Sequence, residues 1–108
     1  MTDADKLNRL KKLLQEKTTD EDDLLSEYLD MSKDEILNWL YIRSGAVPAT
    51  VTSVPARYEQ VQIMAVVSAY NIIGGEGQSE HTENGFRRVF KYEDLLAYIH
   101  SHVYPYVE

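Results

Sequence analysis

The stretch from Val61 to Ile73, VQIMAVVSAYNII, constrains this chain most. Only Gln62, Ser68 and Asn71 interrupt it, and it stops at Gly74-Gly75. Upstream, Pro55 suits the first turn of a helix. The spacing predicts a third helix over about 55–73, with Ser53 or Val54 at its cap position. Arg57, Tyr58, Glu59 and Gln60 make its opening turns partly exposed, and Gly74-Gly75 end it. A helix that is apolar all round is buried on several sides. The run is too short to span a bilayer, which takes about 20 residues. The chain has 108 residues, which fits one domain, 1–108. A small helical domain has few surfaces with which to surround such a helix. The expectation is that an arm of the chain or another subunit covers it.

Three further helices are expected. Leu7, Leu10, Leu13 and Leu14 form a narrow apolar stripe over about 4–16, with Lys6, Arg9, Lys11 and Lys12 off it. Thr18 and Glu21 have the form of a capping box for a second helix over about 20–43. Acids crowd its first turn, where they complement the dipole. Leu24, Leu25, Tyr28, Leu29, Ser32, Ile36, Leu37, Leu40 and Tyr41 keep its period. Ser32 is small enough for a close crossing, and Trp39 sits beside the stripe, placed to pack at its margin or meet a partner. Gly45 reads as the C-terminal stop, and 45–55 as an extended connector. Leu95, Leu96, Ile99 and Val103 predict a last helix over about 93–103, ended by Pro105. The aromatic tail Tyr104-Pro105-Tyr106-Val107-Glu108 follows. The fold class expected is mainly α: a small bundle of about four helices with a protruding loop or β-hairpin arm over about 74–92.

That arm is longer than the usual connection of about 4–6 residues. Asn84-Gly85 is a type I′ hairpin signal. Ser79–Glu83 and Phe86–Tyr92 flank it as candidate strands. In the second, Phe86, Arg88, Phe90 and Tyr92 alternate with Arg87, Val89 and Lys91. An isolated hairpin is marginal in water, so this one needs a surface to lean on. One such surface is the third helix, with Phe86, Phe90 and Tyr92 packed on it and the bases facing water. Another is a neighbouring subunit.

The chemistry is sparse. There is no cysteine, which excludes disulfides and thiolate metal sites. His100 and His102 are two apart and so point to different faces of a helix, and His81 lies in the arm. Gly74-Gly75-Glu76-Gly77 follows a helix, whereas a phosphate loop follows a strand and opens a helix. No nucleophile elbow is present. No enzyme, no metal site and no cofactor are therefore expected, nor a secretory leader or membrane segment. Net charge is −7, which opposes nonspecific nucleic-acid binding. The charge is uneven: Asp20 to Glu35 holds eight acids, among them Asp22, Asp23, Glu27, Asp30 and Asp34, and one base, Lys33. Such a stretch is a solvated helix face, a surface that repels DNA, or one that attracts a basic partner.

In order along the chain stand Asp22-Asp23-Leu24-Leu25, Ile36-Leu37-Asn38-Trp39-Leu40, Tyr70-Asn71 before Gly74-Gly75-Glu76-Gly77, Gln78-Ser79-Glu80, and Lys91-Tyr92-Glu93-Asp94. In this pattern the chain resembles the small head–tail connector, or adaptor, proteins of tailed bacteriophages. Two departures stand out. Members often continue with Arg-Leu after Tyr-Asn, where this chain has Ile72-Ile73. The C-terminal part of members usually ends in a basic tail, where this chain reads His102-Val103-Tyr104-Pro105-Tyr106.

The resemblance implies a structural virion protein made in the host cytoplasm and housed at the head–tail interface. It implies a helical protomer that forms a ring with itself, commonly dodecameric, docks beneath the portal protein after packaging and extends the DNA channel. A downstream stopper or tail-completion protein would follow, and DNA would pass without sequence-specific binding. The residues expected at such contacts are Trp39, Gly74, Gly75, Glu76, Gly77, Phe86, Arg87, Arg88, Phe90, Tyr92, Tyr104 and Tyr106. Asp22, Asp23, Glu27, Asp30 and Asp34 supply the acidic surface. Deleting Gln78–Arg88 is expected to leave the protomer folded and to prevent ring closure or docking. A competing reading is a small acidic inhibitor or DNA mimic that occupies a basic site.

Overall fold

Four helices and one two-stranded ribbon follow each other along the chain in a computed structural model that describes residues 1–15, 19, 21–73 and 87–107. Helix α1 spans Asp3–Leu14. A capping box that the leucine stripe did not signal starts it: Thr2 Oγ1 accepts from the Asp5 N–H, and the Asp5 carboxylate accepts from the Thr2 N–H. Gln15, at φ 60°, closes the helix in the left-handed region. The buried face is also rotated from the expected stripe. Leu10 and Lys6 are buried, whereas Leu13 is exposed. Lys6 stands one turn before Leu10, so its aliphatic stem shares that face.

Helix α2 spans Asp22–Leu40, shorter at both ends than expected. Glu21, one half of the expected capping box, is its N-cap residue and makes no side-chain cap hydrogen bond. The Glu21 carboxylate instead accepts the Tyr70 hydroxyl at 2.6 Å. Thr18 itself lies outside the described residues. At the other end, turns occupy Tyr41 to Ser44 before Gly45. Gly45 takes φ 89°, a conformation glycine adopts without strain, but beyond the helix stop rather than at it.

The connector carries Val54 into the core. A short 3₁₀ turn at Ala56–Tyr58 leads into helix α3, Glu59–Ala69. The apolar run therefore does not stay helical to Ile73. Its last four residues form strand β1, Tyr70–Ile73, so Gly74-Gly75 do not end the helix. β1 pairs antiparallel with β2, Arg87–Phe90, in the register Tyr70–Phe90, Asn71–Val89, Ile72–Arg88 and Ile73–Arg87. The Lys91 N–H donates to the Ala69 carbonyl and ties the ribbon to the end of α3. Helix α4, Tyr92–His102, follows at once. The expected strand Ser79–Glu83 and the Asn84-Gly85 turn lie outside the described residues. Of the expected strand Phe86–Tyr92, Arg87–Phe90 form β2, Lys91 is the N-cap of α4 and Tyr92 its first residue, while Phe86 lies outside the described residues.

The core explains why α3 can be so apolar. The helix packs against α1, α2 and α4 together. Ile63, Ala65, Val66 and Ala69 are buried with Leu10, Leu25, Ile36, Leu40, Leu95, Ile99 and Val103. No α3 residue from Val61 to Ala69 is exposed. The expectation that an arm or another subunit must cover this helix is thus corrected: three helices of the same chain do so. A reciprocal polar tie fixes the α2–α3 crossing. Ser32, fully buried, donates its hydroxyl to the Gln62 carbonyl at 3.0 Å, and Gln62 Nε2 donates to the Leu29 carbonyl at 2.9 Å. The small serine lets the two backbones approach, as its size suggested.

Candidate functional site

Asp23, Glu27, Asp30 and Asp34 fall at i, i+4, i+7 and i+11 of α2. They therefore form one row on a helix, and all four are exposed. The opposite face of α2, from Leu25 to Leu40, is the buried one. The acidic stretch is therefore a continuous ridge. Asp22 does not belong to it. That carboxylate is half-buried and meets Lys11 Nζ at 2.8 Å, which ties α2 to α1.

One shallow depression, lined by Met31, Asp34, Glu35, Asn38 and Tyr92, brings the ridge beside a residue of the expected arm. The Tyr92 hydroxyl donates to the Glu35 carboxylate. That hydrogen bond to Glu35, with lesser contributions from burial and the carboxylate charge, pushes the phenol up to about 12. Tyr92 thus anchors the start of α4 to α2 and leaves its ring 40% exposed.

Phe90, at the end of β2, is half-buried. Its ring stacks on Tyr28 at 3.8 Å, nearly parallel, and Tyr70 meets Tyr28 edge-on at 5.5 Å. This three-ring cluster seats the base of the ribbon on α2, beside its tie to the end of α3. Burial, and then the nearby Glu21 carboxylate, raises the Tyr28 phenol above its ordinary value. Arg87 and Arg88 occupy the ladder opposite Ile73 and Ile72. Gly74, Gly75, Glu76, Gly77 and Phe86 lie outside the described residues.

The remaining aromatic candidates gather at the C-terminal end of α2. Trp39 Nε1 donates to the Val103 carbonyl at 2.8 Å, and its ring stacks on His100 at 3.9 Å. The Tyr106 N–H donates to the Leu40 carbonyl. The Tyr106 ring meets Tyr41 edge-on at 5.2 Å, and Arg57 lies over it at 5.8 Å. Trp39 and Tyr106 therefore clasp the chain's own tail. Tyr104, by contrast, is 74% exposed.

Sequence reasoning missed Lys6, Gln62, Tyr28 and Arg57 as organising residues. Gln62, an amide near the start of an apolar run, was the one signal that could have been read. Nothing in the local pattern marked Lys6. Among the described residues no group of three or more His, Asp or Glu is placed to hold a metal ion, and no helix is long and apolar enough to cross a membrane.

The chain matches the family described as phage gp6-like head-tail connector protein over residues 4–105. No curated protein matches it, and no solved structure does.

Proposed function

This chain belongs to the phage gp6-like head-tail connector family, a structural and not a catalytic family, and from that premise we propose that it is a ring-forming adaptor. Its role is structural, at the phage head–tail junction. In the proposed assembly, copies of the chain close into a ring, commonly dodecameric in this family, beneath the portal protein. The ring extends the DNA channel toward a stopper or tail-completion protein. The single observation that carries this reading is the family match across residues 4–105.

Two structural features support the finer picture. The first is the acidic ridge Asp23, Glu27, Asp30 and Asp34, exposed along one face of α2. A carboxylate surface repels phosphate, which suits a conduit that DNA must traverse without sticking. The second is the β1–β2 ribbon, whose register brings Ile73 and Arg87 side by side. In the proposed assembly the segment between these two strands, 74–86, makes the contact to a neighbouring copy. A contact of this kind, between unlike surfaces of successive copies, closes into a ring.

The test is the mass of the purified particle with and without portal protein, by light scattering and negative-stain imaging. A closed oligomer, at least with portal present, is expected. A chain that stays monomeric and never joins a portal would overturn the reading. The competing inhibitor or DNA-mimic reading uses the same ridge, so replacing Asp23, Glu27, Asp30 and Asp34 by Asn or Gln separates the two. An inhibitor would lose activity, whereas an adaptor would still assemble.

A further inference from the structure

A groove of about 570 Å³ opens between α1 and the start of α3, and its walls carry Met1, Asp5, Arg9, Lys12, Leu13 and Gln60. The cations of α1 divide into two pairs. Lys6 Nζ lies 3.9 Å from the Glu59 carboxylate, and Lys11 Nζ 2.8 Å from Asp22. Arg9 and Lys12 are exposed and meet no carboxylate among the described residues. Arg9 Nη1 instead donates to Gln60 Oε1 at 3.2 Å. That bond holds the guanidinium at the groove and leaves most of its five donors open. The Asp5 carboxylate is committed to the Thr2 N–H, and the Met1 amine to Glu59. The groove is therefore net positive in a chain of net charge −7.

It is also partly apolar. Leu13 is 45% exposed and Met1 48%, although Leu13 belongs to the leucine stripe of α1. Two open cations beside two exposed apolar side chains suit an acidic segment that also carries an apolar residue. The sequence 74–86, GGEGQSEHTENGF, has that composition. It holds Glu76, Glu80, Glu83 and Phe86, and no Lys or Arg.

We infer that the α1–α3 groove receives segment 74–86 of a second copy of this chain. The inference rests on the ring-forming reading and names the surface on which a neighbour's segment docks. Arg9 and Lys12 take its glutamates as charge-assisted pairs, and Leu13 and Met1 cover Phe86. The ridge of α2 is the other acidic surface, but it is the convex face of a helix about 10–12 Å across, which lies over a groove rather than in it. The thirteen residues between Ile73 and Arg87 allow an out-and-back reach of up to about 20 Å. The ribbon begins where α3 ends, after Ala69, and the groove lies where α3 begins, at Gln60. The two surfaces thus stand at opposite ends of one helix, an arrangement that suits a head-to-tail contact between copies.

The test reverses the groove and then the segment, under the conditions in which the wild-type chain closes its ring. Arg9→Glu with Lys12→Glu should weaken self-association of the full chain about tenfold in sedimentation velocity. Both side chains are exposed, so the protomer keeps its fold. Adding Glu80→Lys and Glu83→Lys to that chain should restore association. Adding Glu27→Lys and Asp34→Lys instead returns the same net charge and should not. Unchanged association after the groove reversal would overturn the inference and leave the ring reading standing. Equal rescue from the ridge would overturn it too. A second readout uses the lack of native cysteine. Chains carrying Lys12→Cys are mixed with chains carrying Glu80→Cys and oxidised, and a disulfide between unlike chains should form faster than either homodimer. Homodimers that form as fast, or no cross-link at all, would overturn the inference. With both substitutions in one chain, a covalent ladder is expected. A monomer cross-linked to itself would put the chain's own segment in the groove and overturn the assignment to a second copy. If the wild-type chain never closes a ring, the ring reading fails, and the mixed cross-link still decides this contact.

Discussion

Helices α2 and α3 cross at Ser32 and Gln62, yet they use their surfaces in opposite ways. α3 has almost no polar face, and from Val61 to Ala69 none of it is exposed. α2 is sharply divided between a buried row from Leu25 to Leu40 and the acidic row Asp23, Glu27, Asp30 and Asp34. The difference teaches that the apolar content of a helix states how much cover it needs and not who supplies it. α3 is surrounded by α1, α2 and α4 of its own chain. The exposed surface includes the acidic row of α2 and Tyr104 of the tail.

The comparison breaks first at Ile63. If α3 is the core of the protomer alone, Ile63→Ala should cost about 2–5 kcal/mol, measured by urea unfolding of the dilute monomer. An unchanged midpoint would mean that the cover of α3 is not intramolecular. Next comes the crossing. Ser32→Leu forces a larger side chain between α2 and α3 and should cost about 1–3 kcal/mol. An unchanged unfolding midpoint would mean the helices do not meet there. Trp39→Phe removes the indole donor to Val103 and should cost about 1 kcal/mol. It should also raise hydrogen exchange at the Tyr106 amide, which the clasped tail protects.

A fourth test concerns Tyr92, the joint between α2 and α4. Its folded pKa, about 12, lies above its ordinary value of about 10. The Tyr92–Glu35 contact is therefore fully present below pH 10 and is lost as pH rises through about 12. Alkaline absorbance titration should show one tyrosine ionising last, and Tyr92→Phe should delete that step. The smallest effect belongs to the ridge. Neutralising Asp23, Glu27, Asp30 and Asp34 removes like-charge pairs at i, i+3 and i+4, so Tm should rise slightly. A marked fall in Tm would show that the row is part of the fold and not a free surface.

Much of this was legible from local pattern. The stripes of α2 and α4 place Leu25, Ile36, Leu95 and Ile99 in the core, as observed. Ser32 reads correctly as the close crossing. The acids of 20–35 read as a surface, but separating Asp22 from the ridge took the position of Lys11 on another helix. Trp39 and Tyr106 read as contact residues because they are large and aromatic. That their contacts include the chain's own α4 and tail depends on where the last helix docks.

By itself the sequence determined the number of helices, their approximate spans, most of the buried residues of α2 and α4 and the membership of a connector family. Helical period and composition are local quantities, and they survive without knowledge of neighbours. Tertiary structure alone decided the fate of Tyr70–Ile73. An apolar run that ends in Tyr-Asn-Ile-Ile suits a buried helix or a strand equally well. Pairing with Arg87–Phe90, the Lys91–Ala69 hydrogen bond and the seat of Tyr70 against Tyr28 and Glu21 made it a strand. Tertiary structure also buried Lys6 and gave Gln62 a partner for its nitrogen but, among the described residues, none for its oxygen. A buried polar atom is satisfied or orphaned by whatever the rest of the chain brings to it, and no local pattern contains that information.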